Sequence, residues 1–279
     1  MMGLGNIRHH WPRLRYQLGK RLDIHGTQFK VRGYVANRLT THFQHEKHLL
    51  APLGRAMQFR AGPVVDVGVN TGQTLLKMLA IDPTRSYTGF EPQIGCCFFV
   101  DQFLRDNNLR ASRVLCLALG DENHMLPLYS HSQFDEMASL AASSTGRYHQ
   151  EFVQNFVAVR IGDEVFEEIG LTAPGVVKVD VEGAEIQVFK GLRQTITRSK
   201  PVCIFEVLPN FAGHERTPID ASVAAANRAT AEELFALFGS LGYEIRQIGT
   251  DGGETRIERF DLDSPATYVG SDYVAYPAT

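Results

Sequence analysis

From residue 63 onward, two patterns of apolar and polar positions alternate along the chain. Short, largely apolar runs such as PVVDV and GVVKVD are separated by segments such as TLLKMLAI, in which apolar residues recur at helical spacing. Apolar runs of this length predict strands buried on both faces, whereas the 3.6-residue period predicts amphipathic helices. Strands that alternate with helices are typical of βαβ units. The pattern therefore predicts a doubly wound α/β domain.

The apolar runs place strand ends near Asp66, Glu91 and Asp180. SRVLCLAL, PVCIFEV, YEIRQI and DYVAY are further predicted strands, and a polar loop over residues 249–271 separates the last two. Gly95–Asn108 is a predicted helix, with its phenylalanines, Phe98 included, facing inward. Thr230 and Glu233 form a capping box that predicts the start of the helix LFALFGSLG.

Residues 1–55 form a basic opening section that precedes the domain predicted over 56–279. Its composition favours a helical or irregular extension packed beside the domain, and a membrane- or partner-binding arm is the alternative. Within it, His42, His45 and His48 recur at a spacing of three. Because no cysteine or carboxylate pattern accompanies them, we interpret them as a polar helix surface and not as a metal site.

Composition argues against nucleic acid binding, a cysteine metal site and a membrane-spanning protein. The net charge of −3 and the pI near 6.4 give no basic field for nucleic acid phosphates. The four cysteines lack metal-ligand spacing, so we expect reduced thiols. The first 26 residues are basic and lack the continuous apolar stretch typical of a signal peptide, and no apolar run approaches the length of a membrane span. We therefore expect a cytoplasmic enzyme without an integral membrane segment; the composition does not indicate its oligomeric state.

The segment VVDVGVNTGQT carries the main chemical signal, because a buried strand runs into a glycine turn and then into a helix. In an open α/β sheet, ligands bind beyond the carboxyl ends of the strands. The spacing is not the G-x-G-x-x-G of a dinucleotide site, and Asp66 precedes the first glycine, Gly68, by two residues. A carboxylate would repel a pyrophosphate but suits a ligand that carries ammonium and sulfonium charges.

Glu91 supplies the second signal at the end of the following strand. An acid at this place can accept hydrogen bonds from both hydroxyls of an adenosyl ribose. Together with the glycine loop, Glu91 predicts a nucleoside-bearing cofactor.

DVGVNTG, GFEP, LALGD and VKVDVEGAEIQVFKG resemble the FkbM-type methyltransferases, a resemblance that runs from about Pro63 to Val207. It implies a class I fold, with a seven-stranded sheet whose last strand, near Tyr273 to Tyr276, is antiparallel. It also implies S-adenosylmethionine as cofactor and an acceptor hydroxyl on a small molecule or carbohydrate. It does not imply a metal, so none is assigned, although the carboxylates of VDVEGAE could bind Mg²⁺. The implied cofactor residues are Asp66, Gly68, Asn70 and Gly72 with Thr71 between them at the methionine side, Glu91 at the ribose, and Ala118 to Asp121 at adenine.

Transfer to oxygen requires a residue that removes the acceptor's proton. Asp180 is expected near the cofactor amine or the acceptor, and Glu182 as acceptor contact or base. Glu206 and His214 are further candidates, whereas Glu185 is interpreted as an acid favoured by the dipole of its helix. The loops Ala138–Gly146 and Pro209–Arg228 are predicted to close over the acceptor.

Three other functions stay open on the sequence. An N-methyltransferase for an amine or a protein side chain would be favoured by a carboxylate-rich acceptor pocket. An NAD-dependent oxidoreductase is disfavoured by the missing dinucleotide motif and by Asp66. A non-catalytic subunit that keeps the fold is the third. The acceptor itself cannot be read from the sequence, because acceptor pockets are built from variable loops.

Overall fold

The computed structural model describes residues 20–24, 27–31, 46–130, 153–212, 217–264 and 271–278. Within these ranges the strands are β1 (Lys20–Ile24), β2 (Thr27–Val31), β3 (Val64–Val67), β4 (Tyr87–Phe90), β5 (Ser112–Leu115), β6 (Ala118–Gly120), β7 (His124–Ser130), β8 (Val153–Ile161), β9 (Val176–Val179), β10 (Val202–Glu206), β11 (Phe211–Ala212), β12 (Thr217–Pro218), β13 (Tyr243–Ile248), β14 (Glu254–Arg256) and β15 (Asp272–Pro277). The helices are α1 (Leu50–Phe59), α2 (Gln73–Ile81), α3 (Ile94–Asp106), α4 (Gly162–Glu168), α5 (Glu185–Gly191), α6 (Arg193–Ser199) and α7 (Ala221–Ser240), and a 3₁₀ turn covers Lys47–Leu49.

A large mixed sheet with strand order β14-β13-β15-β10-β9-β3-β4-β5 forms the centre of the domain. The strands from β10 to β5 run parallel, and β15 lies antiparallel between β10 and β13. The doubly wound α/β fold and the antiparallel last strand are therefore confirmed. The count of seven strands is wrong by one, because Glu254–Arg256 pairs with β13 as an eighth strand. This short polar edge strand lies inside the expected loop and has no apolar run that could reveal it.

Helices cover both faces of this sheet. Along β3 and β9 every residue is buried, and side chains point alternately to the two faces. Val64 and Val176 pack with α1, α2 and α3, whereas Val65 and Val177 pack with α4 to α7. The continuous valine runs thus form the shared centre of two apolar clusters, one on each face of the sheet.

The third predicted strand, SRVLCLAL, divides into two. β5 stays in the main sheet and ends at Leu115, whose carbonyl accepts a hydrogen bond from the Leu117 amide at 3.1 Å. After this turn, β6 joins a separate sheet of order β6-β8-β7. The apolar run is continuous in sequence, so the periodicity does not show the change of sheet.

Two details of the predicted helices are wrong. Phe98 points outward and is 55% exposed, because helix α3 buries the neighbouring Phe99 instead. Helix α7 begins at Ala221 and not near Thr230. Asp220 caps it by accepting a hydrogen bond from the Ser222 amide at 2.8 Å, and the alanine-rich segment that follows has high helix propensity.

The described part of the opening section contains helical residues from Lys47 onward and, before them, a β-hairpin that the sequence did not predict. β1 pairs antiparallel with β2, and Ile24, Phe29 and Val31 are buried in the apolar cluster that includes α2 and α3. Helix α1 runs across residue 55, and the division of the chain at that residue stays a prediction. His42 and His45 lie outside the described residues. No helix in the described ranges is both long and apolar enough to cross a membrane.

Candidate methyl-transfer site

A cavity of about 360 Å³ opens at the carboxyl ends of the central parallel strands. Residues 68–70 after β3, 91–93 after β4 and 180–182 after β9 form its walls. β6 and β7 contribute Ala118, Leu119 and Leu128 on the side of β4. On the side of β10, the walls are Glu206, Asp272, Glu46 and Leu49. The cavity lies where ligands bind in open α/β sheets, and its size is in the range of small-molecule sites.

The glycine loop after β3 is fixed by close backbone contacts. Gly68 has φ +86°, and a Cβ at this position would lie 1.7 Å from the carbonyl oxygen of Asp180. No side chain other than hydrogen fits there. The Gly68 amide also donates to the Phe90 carbonyl at 2.9 Å, which holds the loop against β4. Gly68 therefore brings the ends of β3, β4 and β9 together around one cavity.

Glu91 links the glycine loop to the loop after β4. Its Oε2 accepts the Asn70 amide and its Oε1 accepts the Gln93 amide, both at 2.7 Å. Burial raises the pKa of the Glu91 carboxyl to about 7, although these two hydrogen bonds oppose the increase. Because each carboxylate oxygen can accept more than one hydrogen bond, Glu91 keeps the capacity to bind hydroxyl groups from the cavity.

Asp66 is fully buried and is not among the residues that line the cavity. Its Oδ2 accepts a hydrogen bond from the Tyr87 hydroxyl at 2.6 Å. Burial raises the pKa of Asp66, and the nearby charge of Lys178 opposes this increase. A direct contact between Asp66 and the cofactor stays a prediction, since this carboxylate is hydrogen-bonded to Tyr87 and does not line the cavity.

Lys178 is a cavity residue that the sequence analysis missed. Its Nζ lies 3.0 Å from Asp180 Oδ2 and 3.8 Å from Asp66 Oδ1. Burial alone would lower the pKa of Lys178, but the charges of Asp180, Asp66 and Glu46 outweigh it and raise the pKa overall. The signal that could have found it is a lysine inside an otherwise apolar strand, VVKVD, because a buried lysine needs carboxylate partners.

Three carboxylates converge on the β10 side of the cavity. Carboxylate oxygens of Asp180, Glu182 and Glu206 lie within 4.8 Å of one another. Glu206 Oε1 accepts a hydrogen bond from Ser271 Oγ at 2.8 Å. Burial and then the charges of Asp180 and Glu182 raise the pKa of Glu206 well above its usual range. A carboxyl group in this state is a stronger base once ionised than an ordinary glutamate.

Glu185 holds the loop that carries Asp180 and Glu182. Its role therefore goes beyond that of an acid favoured by the dipole of its helix, which is the interpretation from the sequence. Glu185 Oε1 accepts the amides of Val181 and Gly183, both at 3.1 Å. Glu182 between them adopts a positive φ of +56°, which a non-glycine residue rarely adopts. Glu185 is buried, and its two hydrogen bonds hold the loop in the geometry that directs Glu182 to the cavity.

The structure brings only part of the predicted site to the cavity. Gly68, Asn70, Glu91, Ala118, Asp180, Glu182 and Glu206 line it. Thr71 and Gly72 are buried beside the loop, and Asp121 is exposed; these three do not line the cavity. His214 and the loop Ala138–Gly146 lie outside the described residues. The predicted loop Pro209–Arg228 is wrong in its second half, which is the start of helix α7.

Comparison with known proteins places the chain in a family. The sequence model of the FkbM methyltransferase domain matches residues 66–245. This range contains the glycine loop, Glu91 and the loop around Glu182. No curated protein sequence matches the chain significantly.

Solved structures give weaker likenesses. A methyltransferase FkbM from Methylobacillus flagellatus KT is 16% identical with a TM-score of 0.46; the match covers 77% of this chain and 43% of that one. The chain thus matches less than half the length of that relative. A putative caffeoyl-CoA O-methyltransferase from Staphylococcus aureus is 10% identical with a TM-score of 0.49, covering 88% and 93% of the two chains. An O-methyltransferase from Bacillus cereus in complex with SAH is 9% identical with a TM-score of 0.45, covering 87% and 90%.

The family match supports methyl transfer, for which S-adenosylmethionine is the usual methyl donor. It spans about two thirds of the chain and includes every strand end that contributes to the β3, β4, β9 and β10 walls of the cavity. On the strength of this match, the chain belongs to the FkbM methyltransferase family.

Proposed function

We propose that the protein transfers a methyl group from S-adenosylmethionine to a hydroxyl oxygen of a small molecule or carbohydrate. The observation that carries this proposal is the single cavity in which a glycine loop and Glu91 face a group of three carboxylates. The glycine loop and Glu91 have the chemistry to bind an adenosyl cofactor, and the three carboxylates can accept a proton from a hydroxyl group.

The residues on the β4 side fit the cofactor. Glu91 would bind the ribose hydroxyls, and the apolar side chains of Ala118, Leu119 and Leu128 would contact the adenine ring. Asn70 and the backbone of Gly68 would border the methionine portion, with Asp180 near its ammonium group. When bound, the cofactor supplies an electrophilic methyl group on a positively charged sulfur.

The chain's own groups then align the acceptor and remove its proton. Asp180 is oriented by its 3.0 Å contact with Lys178. Glu182 would bind the acceptor, and Glu206, which is shielded and surrounded by negative charge, would take the hydroxyl proton. General base catalysis of this kind contributes a factor of about 10²–10⁴ to the rate. Glu182, Glu206 and His214 are the candidates named from the sequence. The position of Glu206 within 4.8 Å of two other carboxylates, together with the raised pKa that results, favours Glu206.

A second candidate is methyl transfer to nitrogen. The observation in its favour is the carboxylate-rich end of the cavity, where Glu46 and Asp272 add to the three converging acids. Negative charge of this density attracts a cationic amine. Transfer to oxygen remains our first choice, because the resemblance of KVDVEGAE to FkbM-type enzymes implies an acceptor hydroxyl.

The decisive experiment has two parts. Calorimetric titration of the full chain with S-adenosylhomocysteine should show binding, whereas NAD should not bind. Labelled S-adenosylmethionine should then transfer its methyl group into a library of sugars and phenols, each paired with the analogue in which one hydroxyl is an amine. Binding of NAD alone would contradict methyl transfer. Labelling confined to the amines would replace transfer to oxygen with transfer to nitrogen.

A further inference from the structure

The segment Glu46–Leu49 precedes the part of the chain that matches the family, residues 66–245. Glu46 and Leu49 nevertheless line the cavity. The family domain therefore does not build the whole wall, and a short turn from the opening section completes it.

Two polar contacts fix this turn on the domain. The Glu46 carboxylate is paired with the ammonium of Lys77 in α2, a side chain that is only 2% exposed. His48 Nε2 lies 2.7 Å from Asp272 Oδ2 at the start of β15. Both partners are firmly placed, since Lys77 is buried in a helix and Asp272 belongs to the central sheet.

Backbone contacts hold the same turn from the other side. A Cβ on Gly252 would lie 2.9 Å from the His48 carbonyl oxygen, so the chain between β13 and β14 packs directly on the turn. Arg55 in α1 donates to the Gly252 carbonyl at 2.6 Å and to Glu254 Oε1 at 2.8 Å. The turn is therefore packed against the domain by both side-chain and backbone contacts.

Sheet order places the turn at the acceptor end of the cavity. Asp272 is the antiparallel partner of Glu206, so the Cα atoms of these two residues are about 5 Å apart. Glu91 follows β4, four strands away from β15, a distance of roughly 19 Å at 4.8 Å per strand. His48, through Asp272, therefore lies near the proposed base and far from the ribose site, and Glu46 precedes His48 by two residues in the same turn.

We propose that Glu46 is an acceptor-binding residue and that His48 is a positioning residue, which holds the turn against Asp272. Glu46 accepts a hydrogen bond from a hydroxyl or ammonium group of the acceptor, because its side chain lines the cavity, is 35% exposed, and a carboxylate can accept several hydrogen bonds at once. This inference rests on the proposed function of the same cavity. It adds that acceptor selection depends on residues outside the family domain.

The test compares three variants of the full chain: Glu46→Gln, His48→Gln and the control Lys47→Ala. Lys47 is exposed within the same turn and does not line the cavity. The measurements are the dissociation constant for S-adenosylhomocysteine, the melting temperature, and kcat and KM for methyl transfer into the sugar and phenol library at fixed composition.

Glu46→Gln and His48→Gln should raise the apparent KM for the library about fivefold or more, the scale of one lost charged hydrogen bond. The affinity for S-adenosylhomocysteine should stay within about twofold in all variants, and Lys47→Ala should behave as wild type. Unchanged KM in Glu46→Gln, which keeps the size of the side chain, would overturn the inference while leaving the proposed function intact. If wild type fails to bind S-adenosylhomocysteine, the proposed function and the inference both fail.

Discussion

Asp66 and Glu91 end neighbouring strands, yet their carboxylates have different surroundings. Glu91 lines the cavity and accepts one amide from each of two loops. Asp66 is buried below the cavity and bonds to Tyr87. Both positions looked equivalent in the sequence, because each is an acid at the end of an apolar run. Both carboxylates are buried, but of the two only Glu91 lines the cavity, as a direct ligand contact requires.

Substituting each of these acids by alanine should separate the two roles. Glu91→Ala should weaken S-adenosylhomocysteine binding by about 1–3 kcal/mol, the cost of a lost hydrogen bond to a charged group. Asp66→Ala should lower the free energy of unfolding by about 1–3 kcal/mol, because the buried Tyr87 hydroxyl loses its acceptor. Calorimetry and urea unfolding measure the two effects, with Tyr87→Phe as the control for Asp66. A stable Asp66→Ala protein with weakened binding would restore Asp66 as a direct contact.

The pKa of Glu206 should control the pH dependence of methyl transfer. The charges of Asp180 and Glu182 raise this pKa, so activity should increase as the pH rises through it. Glu182→Gln removes one negative charge and should shift the rising limb of the kcat/KM profile to lower pH. Glu122→Gln, a change on the exposed surface, is the control. A limb that does not move in Glu182→Gln would mean that Glu206 is not the base.

The loop between β9 and α5 places Asp180 and Glu182 in the cavity. It carries Glu182 in a positive-φ conformation and is closed by two hydrogen bonds to Glu185. In sequence these residues form the compact segment VDVEGAE, and the packing of Gly68 against the Asp180 carbonyl sets the height of the loop over β3.

Glu185→Ala should reduce turnover through misplacement of Glu182, and Glu185→Gln should restore most of it, because the amide oxygen can still accept both backbone amides. We expect the alanine variant to lower kcat by about tenfold or more while S-adenosylhomocysteine affinity falls much less, since positioning acts on the reacting geometry. Steady-state kinetics and calorimetry on both variants provide the measurement. Equal loss of kcat in the glutamine variant would show that the charge of Glu185, and not its hydrogen bonds, matters.

Across the whole molecule, the His48–Asp272 contact joins residues 224 positions apart in the chain. It ties the turn before α1 to the last strand of the sheet. The hydrogen bond that His48 donates to Asp272, together with the negative charge of Asp272, raises the pKa of His48 above 6.5, although partial burial opposes this increase.

His48→Gln should therefore destabilise the fold in a pH-dependent manner. A raised histidine pKa contributes stability that is fully present below about pH 6.5 and is lost as the pH rises through the folded-state value. The variant should lose about 1–2 kcal/mol near pH 5.5 and less near pH 9, as measured by urea unfolding. His124→Gln, at an exposed histidine, should change little at either pH. Equal losses at both pH values would exclude a charged pair.

The sequence by itself determined the order of the central elements and the nature of the loop after β3. Valine runs such as VVDV and VVKV predict strands buried on both faces, and glycines at 68 and 72 between a strand and a helix predict a tight turn. Such signals are local, so they are visible in a single chain. They were enough to predict the fold and the glycine loop after β3, whereas the family followed from the resemblance of the motifs around that loop and around KVDVEGAE.

Tertiary structure decided what depends on contacts between distant segments. Lys178 lies in the site because the fold places Asp66 and Asp180 beside it. Glu185 holds the loop after β9 because the fold brings its carboxylate to the backbone amides of that loop. The strand β5 ends at Leu115, although the apolar run continues into β6 of another sheet. Glu46 lies at the cavity, where it pairs with Lys77. Periodicity records which faces of an element are apolar, but the partners of a buried charge are selected by packing, because only packing removes that charge from water.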